Sequence, residues 1–91
     1  MVTKELTIIN KLGLHARPAA MFVKVSSACE AEIWVEKDEE QVNGKSIMGL
    51  MMLAAGCGAK ITVSAEGKDE DAVMARLEAL VSGGFTEGGG K

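Results

Sequence analysis

Ninety-one residues are enough for one domain with one core, and 47% apolar with 25% charged residues is the composition of a folded chain, not a disordered one. A formal charge of −3 without any Lys/Arg cluster argues against a nucleic-acid partner, and the longest apolar run, IMGLMMLAAG, is too short to cross a bilayer. Cys29, Cys57 and one distant histidine do not have the spacing of a zinc site, so no metal is expected; buried free thiols are expected in preference to a disulfide.

Charges interleave with the apolar residues of MVTKELTIIN, which therefore does not read as a signal peptide, and a cytoplasmic chain is expected. Within it KELTIIN alternates, Leu6 and Ile8 against Glu5 and Thr7, as a half-buried strand does. From Ala16 to about Ala28 the spacing of Ala19, Phe22, Val23 and Ser26 predicts a helix, with Met21 and Lys24 on a more exposed face. AEIWVEK alternates again, turning Ala31, Ile33 and Val35 inward and Trp34 toward water. A turn at Asp38-Glu39, a short strand around Gln41-Val42 and a turn at Asn43-Gly44 follow. Ser46 is placed to cap the short helix IMGLMML, in which Leu50 and Leu53 are core residues and Met48 and Met51 exposed. AKITVSAE is a fourth strand with Ile61, Val63 and Ala65 inward. KDEDAVMARLEALVSGG has acids in its first turn, a stripe of Val73, Leu77, Leu80 and Val81, and a stop at Gly83-Gly84.

The order is β-α-β-β-α-β-α. Strands that alternate in polarity predict an α+β fold, an open-faced sandwich whose mostly antiparallel sheet carries helices on one face only. Residues 1–85 form the expected single domain, and the Gly-rich stretch 86–91 is expected to be a flexible tail.

The lone imidazole sits in GLHARPAA, residues 13–20. Pro18 is tolerated in a first helical turn, so the helix opens near Ala16 and His15 lies at its N-cap or beside it. Unpaired amides at a helix start form an anion site, and the Arg17 guanidinium adds a fork that matches phosphate oxygens. Gly13 lets the backbone turn tightly into the helix. This positive surround favours the uncharged ring as a nucleophile and then stabilises a phosphoryl group bound to it. A capping or surface histidine would explain the same position. A hydrolase is disfavoured, since no carboxylate or second base lies close in sequence.

GLHARPAA and NGKSIMGLMML, with the spacing between them, resemble HPr, the histidine-containing phosphocarrier family of bacterial phosphoenolpyruvate:sugar phosphotransferase systems. The similarity runs from about Leu6 to Phe85. It implies a four-stranded antiparallel sheet with three helices, no cofactor, and a phosphorylated intermediate rather than an enzyme that turns over alone. It implies that His15 accepts a phosphoryl group at Nδ1 from phosphorylated enzyme I and passes it to enzyme IIA domains, with Arg17 binding the phosphoryl oxygens. Ser46 matches a regulatory serine modified by an HPr kinase/phosphorylase. Ala16, Ala20, Met21 and Lys24 on the first helix, and Ile47, Met48 and Met51 on the second, match partner-contacting positions. A monomer is expected. Two rivals keep the same residues: a regulatory binding module, or nitrogen-type paralogue, working through Ser46-controlled docking, and a domain that holds a small anion noncovalently at the helix mouth.

Overall fold

A computed structural model describes residues 1–85, and the expected tail at 86–91 lies outside the described residues. The elements are β1 (Val2–Thr7), α1 (Ala16–Ser27), β2 (Glu32–Lys37), β3 (Glu40–Asn43), α2 (Ile47–Met52), β4 (Lys60–Glu66) and α3 (Glu70–Ser82), the order read from the sequence. The strands form one antiparallel sheet in the order β1-β4-β2-β3. Pairing Leu6 with Ile61 and Val35 with Val63 fixes the register that sends Leu6, Ile33, Val35, Ile61, Val63 and Ala65 to one face. A slip of one residue would turn that whole set to water. Phe22 from α1, Leu50 from α2, and Val73, Leu77 and Val81 from α3 cover this face and are almost fully buried. The other face carries Thr3, Glu5, Trp34, Thr62 and Ser64, with Trp34 only half-buried.

The turn between β2 and β3 uses Asp38 (φ 52°) and Glu39 (φ 70°). Positive φ at both central positions gives the two-residue hairpin turn whose twist matches that of the flanking strands. Neither residue is glycine, so the hairpin holds some strain, which Asp tolerates better than most residues.

Three long-range polar contacts fix the loops. The buried Ser26 hydroxyl donates to the Gly44 carbonyl at 2.7 Å, tying α1 to the turn that leads into Ser46. Lys45 Nζ donates to the Cys29 carbonyl at 3.1 Å. The Asp69 carboxylate accepts from the backbone N–H groups of Glu30 and Ala31, each at 3.0 Å. Chiefly the Glu30 amide, helped by that of Ala31 and by the Lys45 charge, holds the Asp69 carboxyl below its ordinary range. Protonating it in the folded state therefore opposes this clasp. The stabilisation is complete above the unfolded value of about 3.9 and is lost as pH falls through the lower folded value. Asp69→Asn should accordingly be less stable than the wild type at pH 7, with the gap narrowing as acid titrates the carboxylate. Denaturant melts of both proteins at pH 7 and pH 3 check this, and a gap that widens in acid would refute it.

Two expectations need correction. Cys57 is exposed and Cys29 half-buried, although both are free thiols as expected. Cys57 lies in the turn GCGA, outside any periodic element, where its apolar character gives it no core position. In α3 it is Met74 that joins Val73, Leu77 and Val81 in the core, while Leu80 stays half-buried.

Candidate functional site

The site begins where β1 ends. The Gly13 amide donates to the Asn10 carbonyl (3.1 Å), and Asn10 Nδ2 donates back to the Gly13 carbonyl (2.8 Å). That carbonyl also accepts from the His15 amide at 2.9 Å, so one oxygen ties the turn to the histidine. Asn10 Oδ1 is buried with no hydrogen-bond partner among the described residues. Buried Leu14 anchors the segment, and its amide donates to the Ala55 carbonyl at 2.8 Å. Gly13 has φ +72°, and a Cβ there would stand 2.3 Å from the Ala55 oxygen and 2.7 Å from Gly56 Cα. Only glycine allows the two backbones to lie this close.

His15 is the N-cap residue of α1, in extended conformation (φ −90°, ψ −164°), and its side chain makes no capping bond. The ring is exposed and makes no hydrogen bond among the described residues, while the His15 carbonyl accepts the first helical bond, from Ala19 at 2.9 Å. Pro18 has no N–H, and the Ala16 and Arg17 amides donate to no group among the described residues. Donors and imidazole therefore meet at one exposed helix end, an arrangement suited to holding phosphoryl oxygens.

Two shallow depressions meet at His15. One, of about 360 Å³, brings the histidine together with Arg17, Met21, Asn10, Gly84 and Phe85. The other, of about 280 Å³, joins it to Leu12, Met51 and the loop residues Ala54, Ala55 and Gly56. Sequence reading missed Leu12, Asn10 and Phe85. Phe85 reaches the site through the end of α3: its amide donates to the Leu80 carbonyl and that of Gly84 to the Val81 carbonyl, both at 3.0 Å, with Gly84 at φ +72°. This is the Schellman ending, which brings an apolar residue back onto the helix it closes. The pair Gly83-Gly84 followed by Phe was the available signal.

Ser46 caps α2 as expected, its Oγ accepting from the Gly49 amide at 3.0 Å. It lines neither depression at His15. Ile47, Met48 and Met51 are exposed, Met48 most of all at 74%, and so are Ala16, Ala20 and Lys24; Met21 is half-buried. Met52 and Leu12 extend the exposed apolar surface. A contiguous exposed apolar patch of this kind is the usual character of a surface suited to protein contacts. Among the described residues no cluster of His, Cys, Asp or Glu could hold a metal ion, and no helix is long and apolar enough to cross a membrane.

A family pattern described as "PTS HPr component phosphorylation site" matches residues 2–83. The phosphocarrier protein HPr of Neisseria meningitidis serogroup A is 49% identical over 88 residues, covering 97% of this chain and 99% of that one. The HPr-like protein Crh of Halalkalibacterium halodurans is 49% identical over 81 residues, covering 89% and 96%. Among solved structures, HPr-C-His from Thermoanaerobacter tengcongensis superposes with a TM-score of 0.90 at 47% identity, covering 93% of this chain and 96% of that one.

Proposed function

The chain belongs to the HPr phosphocarrier family, and from that premise we propose that His15 accepts a phosphoryl group from phosphorylated enzyme I and relays it to enzyme IIA domains. The observation that carries this reading is the His15 ring itself: exposed, engaged by no hydrogen bond among the described residues, and set at a helix N-terminus in the same depression as Arg17. A structural histidine would be capping or packed.

In the transfer the Nδ1 lone pair attacks phosphorus while the donor's bond to phosphorus breaks, and the electron pair of that bond leaves with the donor. Arg17 and the open amides of α1 neutralise the oxygens of the transferring group. No proton need move at the phosphorus, and the chain supplies no turnover of its own. The reverse attack by an enzyme IIA nucleophile releases the uncharged ring. We take the chain to act as a cytoplasmic monomer. Ala16, Ala20, Met21, Lys24, Ile47, Met48 and Met51 form its docking surface, on which flexible methionines suit successive different partners.

Phosphorus NMR of the chain with phosphoenolpyruvate and catalytic enzyme I tests the proposal. An acid-labile, alkali-stable signal supports it. Its absence, with enzyme I active on another acceptor, favours a regulatory module acting through Ser46 or a noncovalent anion site.

Ser46 supports a second level of control, through an HPr kinase/phosphorylase. A phosphate at a helix N-cap adds about −1.5 to −2 charge where the helix tolerates it but beside the docking residues Ile47 and Met48. Ser46→Asp should therefore keep the fold while slowing transfer from enzyme I by on the order of tenfold, through repulsion of an acidic partner. Equal transfer rates in wild type and variant would remove this control from the proposal.

A further inference from the structure

The largest of the grooves described lies away from His15, between α1 and α3. It encloses about 440 Å³ and is lined by Met21, Lys24, Val25 and Ala28 from α1 and by Arg76 and Leu80 from α3. Its floor is apolar and half-buried, through Met21, Val25 and Leu80. Among the described residues the charges lining it are Lys24 and Arg76, both exposed, and neither takes part in an ion pair there. The helix positions three and four residues from Arg76 hold Ala72, Val73, Ala79 and Leu80, so no neighbouring acid on α3 answers it. The one carboxylate close by in sequence, Glu78, pairs with Lys4 at 2.7 Å. In a chain whose net charge is −3, two unanswered cations over an apolar groove define a local complement to acid.

Met21 forms a wall of this groove and also of the His15 depression. The two are therefore continuous, and a partner seated over His15 reaches Arg76 by passing Met21. We infer that the α1/α3 groove is a second contact for the phosphoryl-exchanging partner, taking a segment with an apolar side chain flanked by carboxylates. The apolar side chain enters between Met21, Val25 and Leu80, and its flanking carboxylates meet Lys24 and Arg76. This rests on the carrier reading and extends its docking surface from α1 and α2 to α3.

The test uses enzyme I as the probe, with stopped-flow association and transfer rates measured for the full chain, Arg76→Glu, Lys60→Glu and Leu80→Ala. Lys60 is exposed at the start of β4, outside the groove, and its reversal changes net charge by the same amount as that of Arg76. Arg76→Glu should lower the association rate about tenfold and flatten its salt dependence, while Lys60→Glu changes it about twofold or less. Leu80→Ala, shown folded by its thermal melt, should speed dissociation. Equal effects of Arg76→Glu and Lys60→Glu would overturn the groove, leaving only overall charge, as would a concentration-dependent dimer abolished by Arg76→Glu without effect on enzyme I. A wild-type chain that neither binds enzyme I nor takes phosphate from it overturns both the groove and the carrier reading. Normal wild-type transfer with an unaffected Arg76→Glu overturns the groove alone.

Discussion

His15→Ala is expected to abolish acid-labile phosphorylation by phosphoenolpyruvate and enzyme I while leaving the fold intact. The chain has a single imidazole, so no second residue can form the same nitrogen–phosphorus bond. The ring caps nothing and packs into no core, and the helix it precedes keeps its first backbone bond, because the His15 carbonyl remains in the variant. Removing an exposed side chain of this kind typically changes stability by no more than about 0.5 kcal/mol. Transfer and stability should therefore separate completely. Denaturant melts beside phosphorus NMR measure the two, and acid-labile phosphate surviving in the variant would refute the assignment.

Gly13→Ala should do the opposite and couple the two losses. The added methyl carbon meets the Ala55 carbonyl oxygen at 2.3 Å, and the backbone holds φ +72°, where a side chain is strained even in open space. Neither that oxygen nor Gly56 Cα, 2.7 Å from the methyl carbon, can swing aside, since both are main chain. The expected destabilisation is about 3 to 5 kcal/mol, a large fraction of the roughly 5 to 15 kcal/mol that holds a domain together. Relief must come from separating the two loops, which breaks the bond from the Leu14 amide to the Ala55 carbonyl and shifts His15 two residues away. Transfer should then fall further than the folded fraction does. Equilibrium unfolding compared with single-turnover transfer makes the distinction, and a stability loss below about 1 kcal/mol would show that the loops part easily.

The strands were legible because period-two alternation survives wherever one face of a sheet is covered, and Leu6, Ile33, Val35, Ile61 and Val63 all lie where that pattern put them. The Ser46 cap and the opening of α1 at Ala16 were equally legible, being local chemistry. What escaped was action across the chain. Asp69 reads as an acid at a helix start, yet its oxygens serve amides 38 and 39 residues away instead of capping its own helix. Phe85 lines the depression at His15 although 70 positions separate them, a meeting decided by how α3 lies on the sheet. Cys57 misled because apolar character predicts burial only within a periodic element. The roles proposed for His15, Arg17 and Ser46 rest on the family resemblance, to which the structure adds a ring without a hydrogen bond among the described residues, and its neighbours.

The two depressions flanking His15 stay open, at about 280 and 360 Å³, so the chain builds only half of a reaction chamber. In the proposed relay each partner supplies the other half, including the exclusion of water. On that proposal the carrier adds no thermodynamic bias of its own, since donor and acceptor would approach the same nitrogen through the same opening. The direction of flow is then set by the difference in phosphoryl-transfer potential between the proteins that close over it. Reversing that difference should run the relay backwards through an unchanged His15.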